Sequence, residues 1–106
     1  MENREKWDVI FNYKRKWQKY VLVIDIEKHN LQFLSEDLNY HFNIYEKYMK
    51  DKNSRCLWWG CVKMDDENKI ITLYWGSVGY GSVPERFKES MKKMLEKKFP
   101  DYKIVV

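Results

Sequence analysis

From Lys19 to Ile26 the chain sets Tyr20, Val21, Leu22, Val23 and Ile24 side by side, the continuous apolar centre of a strand. Trp7 to Phe11 predicts a short strand before it, and Asn12 to Lys16 a basic turn, so the chain reads as opening on a hairpin. Leu31 to Leu34 adds another short strand. Ser35 is placed to cap a helix whose first turn carries Glu36 and Asp37 and which runs to about Lys50. Its inward stripe, spaced by threes and fours, is Leu38, His41, Tyr45, Tyr48 and Met49, with Asn39, Glu46, Lys47 and Lys50 mostly outside. Cys56 to Met64 and Ile70 to Trp75 then form an antiparallel pair across the polar turn Asp65-Asp66-Glu67-Asn68. A loop with Gly76, Gly79 and Gly81 follows. Ser82 and Glu85 at capping-box spacing, with Pro84 in the first turn, start a second helix that buries Phe87, Met91, Met94 and Leu95. Pro100 falls just beyond it, and Lys103 to Val106 closes as a strand. The pattern predicts an α+β fold: one mixed sheet of about six strands packed with two helices.

Composition narrows the class. A chain of 106 residues reads as one compact domain, residues 1–106, with no room for a separate substrate domain. With 44% hydrophobic and 17% aromatic residues it has ample core, so its 34% charged residues decorate a globular surface. No apolar run approaches the roughly 20 residues that span a bilayer, and no signal-peptide pattern follows the charged N-terminus, so the expected location is the cytoplasm, away from membranes. Cys56 and Cys61 stand five positions apart on one strand, which predicts opposite faces and no disulfide. Two Cys and two His in unrelated places do not make a zinc site, so no metal is expected.

Candidate chemistry centres on His41. An imidazole with a pKa near 6.5 suits acceptance or transfer of a phosphoryl group near neutral pH. The stretch Gly76-Ser77-Val78-Gly79-Tyr80-Gly81 can turn several backbone N–H groups into one concavity, and Ser77 adds a hydroxyl. The N–H groups that open the first helix add partial positive charge beside His41. Each feature also has a plainer reading: a hydrogen-bonded core histidine, and a strand-to-helix turn. His29 lies in a polar turn and reads as solvated. The strip Lys14-Arg15-Lys16-Trp17-Gln18-Lys19 is more simply a basic turn than a nucleic-acid patch, so nucleic acid is not the expected partner.

Three ordered islands carry a resemblance: Tyr40-His41-Phe42-Asn43-Ile44-Tyr45, Trp75 to Gly81, and Phe99-Pro100-Asp101-Tyr102 leading into the last strand. Together they resemble the phosphohistidine phosphatase (janus) family. The resemblance implies the same arrangement of sheet and helices, and a metal-independent, cofactor-free phosphatase acting on a phosphohistidine-containing protein or a small phosphoramidate. It makes His41 the catalytic histidine, with substrate held by Lys19, the Phe42 backbone N–H, the Ser77 hydroxyl, Val78 and the Gly79 N–H. It implies that a backbone carbonyl on the strand Leu57 to Cys61 holds the histidine ring, which points to Trp58. The family's arginine position is Cys61, and Phe33 stands where a further basic residue is usual; Lys63 or Arg86 is a candidate replacement charge. A net charge of +4 favours phosphorylated or acidic partners, and a monomer is expected. The rival from another class is a catalytically silent phosphate- or phosphoprotein-binding module. A third is a single-stranded nucleic-acid binder using Trp17, Trp58 and Trp59.

Overall fold

Sheet order, not element content, is where the fold departs from expectation. The computed structural model describes residues 6–14, 16–50, 52–75 and 85–106. Six strands, β1 (Lys6–Asn12), β2 (Trp17–Asp25), β3 (Asn30–Glu36), β4 (Ser54–Asp65), β5 (Ile70–Trp75) and β6 (Lys103–Val105), lie in the order β1-β3-β2-β4-β5-β6. Helix α1 (His41–Met49) connects β3 to β4, and α2 (Glu85–Lys98) lies between β5 and β6. The result is one compact α+β domain with a mixed sheet.

The continuous apolar run of β2 has a direct cause. Tyr20 and Leu22 enter the core beneath α2 with Phe33, Val62, Met91, Met94 and Leu95, while Val21 and Val23 enter a second core with Leu34, Ile44 and Met49 of α1. The helices therefore cover opposite faces, and a central strand between them has no polar side. The opening hairpin is corrected: β1 does not pair with β2 but runs parallel to β3, Trp7 facing Leu31 and Phe11 facing Ser35. The four-residue turn after Asp25 folds β3 directly back on β2, which leaves β1 the outer edge of β3.

The two tight hairpins use one device. Asp25 accepts the Lys28 N–H (3.2 Å) and Asp65 accepts the Asn68 N–H (3.1 Å). His29 (φ 52°) and Lys69 (φ 56°) then close the turns in the left-handed region. The predicted solvated turn residue His29 is indeed exposed.

The first helix starts later than predicted. Ser35 is not its cap: it lies inside β3, fully buried, its hydroxyl donating to the Lys19 carbonyl (2.7 Å) and accepting from Gln18 Nε2 (2.9 Å). Tyr40 is the N-cap, and its N–H donates to Asn43 Oδ1 (3.2 Å). Ile44 and Met49 are the buried residues of α1, so His41 opens the helix half-buried and is not part of a deep stripe. Helix α2 buries Met91, Met94 and Leu95 as its spacing predicts.

The cysteines are corrected too. Trp58 is opposite Leu22 while Cys56 is opposite Val23, so Leu57 is the extra residue of a β-bulge. The bulge reverses the facing of everything before it. Cys56 and Cys61 consequently share the α1 face of the sheet, with no disulfide between them, Cys56 exposed and Cys61 buried.

Candidate functional site

On the α1 face, β2 and β4 form the floor of a cleft of about 430 Å³. Lys19 and Val21 come from β2, Cys56 and Trp59 from β4, and Tyr40, His41, Phe42 and Tyr45 from the start of α1. Alternation explains the first group: Lys19 and Val21 are two apart on β2, and Val21 is opposite Trp59. The bulge brings Cys56 into line with them.

His41 is held from two sides. Its Nε2 lies 2.8 Å from the Gly60 carbonyl oxygen, and its ring centroid lies 4.8 Å from that of Trp59. A carbonyl only accepts, so Nε2 carries the hydrogen and the neutral ring keeps its lone pair on Nδ1. Burial pushes the His41 pKa below its ordinary 6.5; the Gly60 contact pulls it back up, and the nearby Lys19 charge pushes it down. The ring is thus neutral at pH 7.

The predicted holder of the ring is corrected from Trp58 to Gly60. Carbonyls of alternate residues on a strand point the same way, so the strand and its direction were right and the position was two residues short. Trp58 instead sits on the opposite face, packed beside Phe87 with ring centroids 5.7 Å apart. Gly60 has its own reason to be glycine. A Cβ there would lie 2.0 Å from the Tyr74 carbonyl oxygen and 2.8 Å from the Tyr20 ring and hydroxyl.

Around this cleft the structure sorts the remaining candidates. Lys19 also borders a second, polar cleft with Trp17, Gln18, Asp37, Asn39 and Cys61. Ser77, Val78 and Gly79, and the loop and cap residues through Pro84, lie outside the described residues. Phe33 is fully buried in the core and Cys61 is buried, its thiol pKa raised by burial and lowered by Lys19; neither position supplies charge. Lys63 is exposed on β4 and lines neither cleft, while Arg86 belongs to α2, across the sheet. Trp17 and Trp59 share the α1 face and Trp58 does not, so the three tryptophans form no common stacking surface. Among the described residues no cluster of three or more His, Cys, Asp or Glu is placed to hold a metal. No helix among them is long and apolar enough to cross a membrane.

Sequence spacing missed one group: Glu36, at the end of β3, accepts from Lys47, Tyr48 and Asn12, the last at 3.0 Å. Burial opposes ionisation of Glu36, but these three donors outweigh it and hold the carboxyl at about 2. The network ties β1, β3 and α1 together. Its signal in the sequence, a glutamate eleven and twelve residues before Lys47-Tyr48, has no helical or strand period.

The fold and cleft define a small α+β protein with a half-buried, ring-anchored histidine beside one lysine. The chain belongs to the Janus/Ocnus family, whose model, described as Janus/Ocnus family (Ocnus), matches residues 14–103. That match overturns the phosphohistidine phosphatase resemblance and the hydrolase activity drawn from it: the matched family is not a phosphatase family and gives no indication of hydrolase activity. Of that resemblance the janus name alone stands. The described residues that carried it have structural work to do: His41 docks on β4, Ile44 fills the core, and Tyr45 bonds to Ser54 Oγ at 2.7 Å. No curated protein matches the chain.

Proposed function

We propose that the protein is a catalytically silent module that binds a phosphate group on a partner in the cleft between β2, β4 and the start of α1. The observation that carries this reading is that Lys19 and His41 line one cleft while Gly60 fixes the ring. Lys19 attracts the anion. With its Nε2 hydrogen committed to Gly60, His41 presents Nδ1, which accepts a P–OH hydrogen from a monoanionic phosphate or, once protonated, donates to a dianion. The first-turn amides of α1 have no carbonyl partner four residues back within the helix and favour negative charge nearby.

The charge count supports the silent reading. Among the described residues Lys19 is the one lysine or arginine lining the cleft. Phosphoryl transfer needs donors aimed at charge that builds up during the reaction, and Cys61 and Phe33 offer none. One lysine and a placed ring suffice for recognition.

Calorimetric titration with inorganic phosphate at low salt tests the reading. Saturable binding, weakened on the order of 10-fold or more in Lys19→Ala as loss of a charge-assisted hydrogen bond requires, is expected. Absence of saturable binding, or equal binding by Lys19→Ala, would overturn it.

A further inference from the structure

The phosphate-binding reading leaves most of the cleft unexplained. A bare phosphate needs on the order of 100 Å³, judged from the ~30 Å³ share of a water, and the cleft offers about 430 Å³. The rest is aromatic wall. Tyr40 (68% exposed) and Phe42 (64%), the chain neighbours of His41, line it together with Trp59 (42%), whose ring packs against that of His41. Rings this size left in water around one concavity mark a binding surface, and their faces favour another ring. Tyr45 adds a fourth ring whose hydroxyl is already engaged by Ser54 at 2.7 Å, so it presents its apolar face.

Depth points the same way. Val21 is buried on the strand floor and Lys19 is half-buried beside it, whereas Tyr40 and Phe42 stand at the rim. A phosphate on a short aliphatic side chain would leave its backbone crowded against the rim when the phosphate met Lys19. An aromatic spacer sets the phosphate a ring's length further from its backbone and fills the space between the rims.

Resting on the reading of this cleft as a phosphate site, we propose that its ligand is an aryl phosphate, the phosphotyrosine side chain of a partner protein. The phosphate meets Lys19 and His41, and the ring seats between Phe42 and Trp59. Recognition alone is involved; no bond is made or broken.

Calorimetry with phenyl phosphate, inorganic phosphate, adenosine monophosphate, and matched phosphotyrosine and phosphoserine peptides tests the proposal. Burial of one ring predicts that phenyl phosphate binds on the order of 10- to 100-fold more tightly than inorganic phosphate. The phosphotyrosine peptide should exceed the phosphoserine peptide by a similar factor. Phe42→Ala, at an exposed position, and Trp59→Ala, each checked for fold by circular dichroism, should each remove most of the ratio of phenyl phosphate affinity to inorganic phosphate affinity. Equal binding of phenyl phosphate and inorganic phosphate would overturn the aryl assignment and leave the phosphate site standing. Tighter binding of adenosine monophosphate than of either aryl phosphate probe would overturn it in favour of a nucleotide. An advantage that survives both substitutions would show that the ring sits elsewhere. No binding by any probe would remove both readings together.

Discussion

His41 Nε2 and the Gly60 carbonyl oxygen lie 2.8 Å apart, joining the first residue of α1 to the middle of β4. This contact fixes which nitrogen carries the hydrogen and leaves the ring's lone pair on Nδ1. Burial and Lys19 both lower the ring's pKa, so its NMR titration midpoint is expected below 6.5 and should move upward in Lys19→Ala. The sign for stability follows. Both folded and unfolded forms are neutral above 6.5, and as pH falls through 6.5 the unfolded chain takes up a proton that the folded ring resists. Denaturation at pH 7 and pH 5.5 should show lower stability at the acid value, a difference that His41→Gln reduces. An unchanged difference in that variant would refute the assignment.

Gly60→Ala should destabilise severely. Its new Cβ would fall 2.0 Å from the Tyr74 carbonyl oxygen, a backbone atom held by strand pairing, and cannot be accommodated by a side-chain rotation. A loss of about 3 kcal/mol is expected, read as a fall in Tm on the order of 10 °C or more. A Tm within about 2 °C of the parent would contradict the close approach.

Acid should release the Glu36 network. With its carboxyl lowered from 4.5 to about 2, Glu36 contributes stability that is present above pH 4.5 and lost as pH falls towards 2. Lys47 is well exposed, so solvent screens part of that effect. Glu36→Gln is expected to cost about 1 kcal/mol at pH 7 and to flatten the stability profile below pH 4.5, as measured by urea denaturation across pH.

Thiol reactivity reports on the cleft. Cys56 is exposed and lines it, whereas Cys61 is buried, and burial raises the pKa of both thiols. One thiol should therefore react with iodoacetamide well before the other, with rates rising above pH 8. Phosphate or an aryl phosphate bound in the cleft should slow Cys56. Protection of neither thiol at saturating ligand would place the ligand elsewhere.

Strand and helix periods carried most of the fold. β5 begins and ends where its apolar run does, and Met91, Met94 and Leu95 face inward as spacing predicts. The errors arose where a local signal competed with tertiary pairing. Ser35 has the chemistry of a cap, yet buried bonds to Gln18 and Lys19 keep it in a strand. The basic turn at Asn12 to Lys16 signals a reversal and cannot say which neighbour β1 will join. The Leu57 bulge, invisible in an apolar stretch, inverted the facing of Cys56. His41 and Lys19 were legible as residue types in the right elements. The Gly60 contact was legible only as a strand. The aromatic character of the cleft required α1 to be placed against β4 before Phe42 and Trp59 could face one space.

Assigned ¹H–¹⁵N spectra recorded while inorganic phosphate is added, with His41 ring nitrogens observed alongside the backbone amides, show whether the anion enters the cleft of Lys19 and His41. Binding in the cleft predicts saturable shifts at Lys19, His41, Phe42 and Trp59, a hydrogen on Nε2 before addition, and an upward move of the His41 midpoint once phosphate is bound. Shifts spread over the lysines of α2 and the Lys14 region, with the His41 ring unmoved, would mean unspecific attraction to a basic surface and would contradict it.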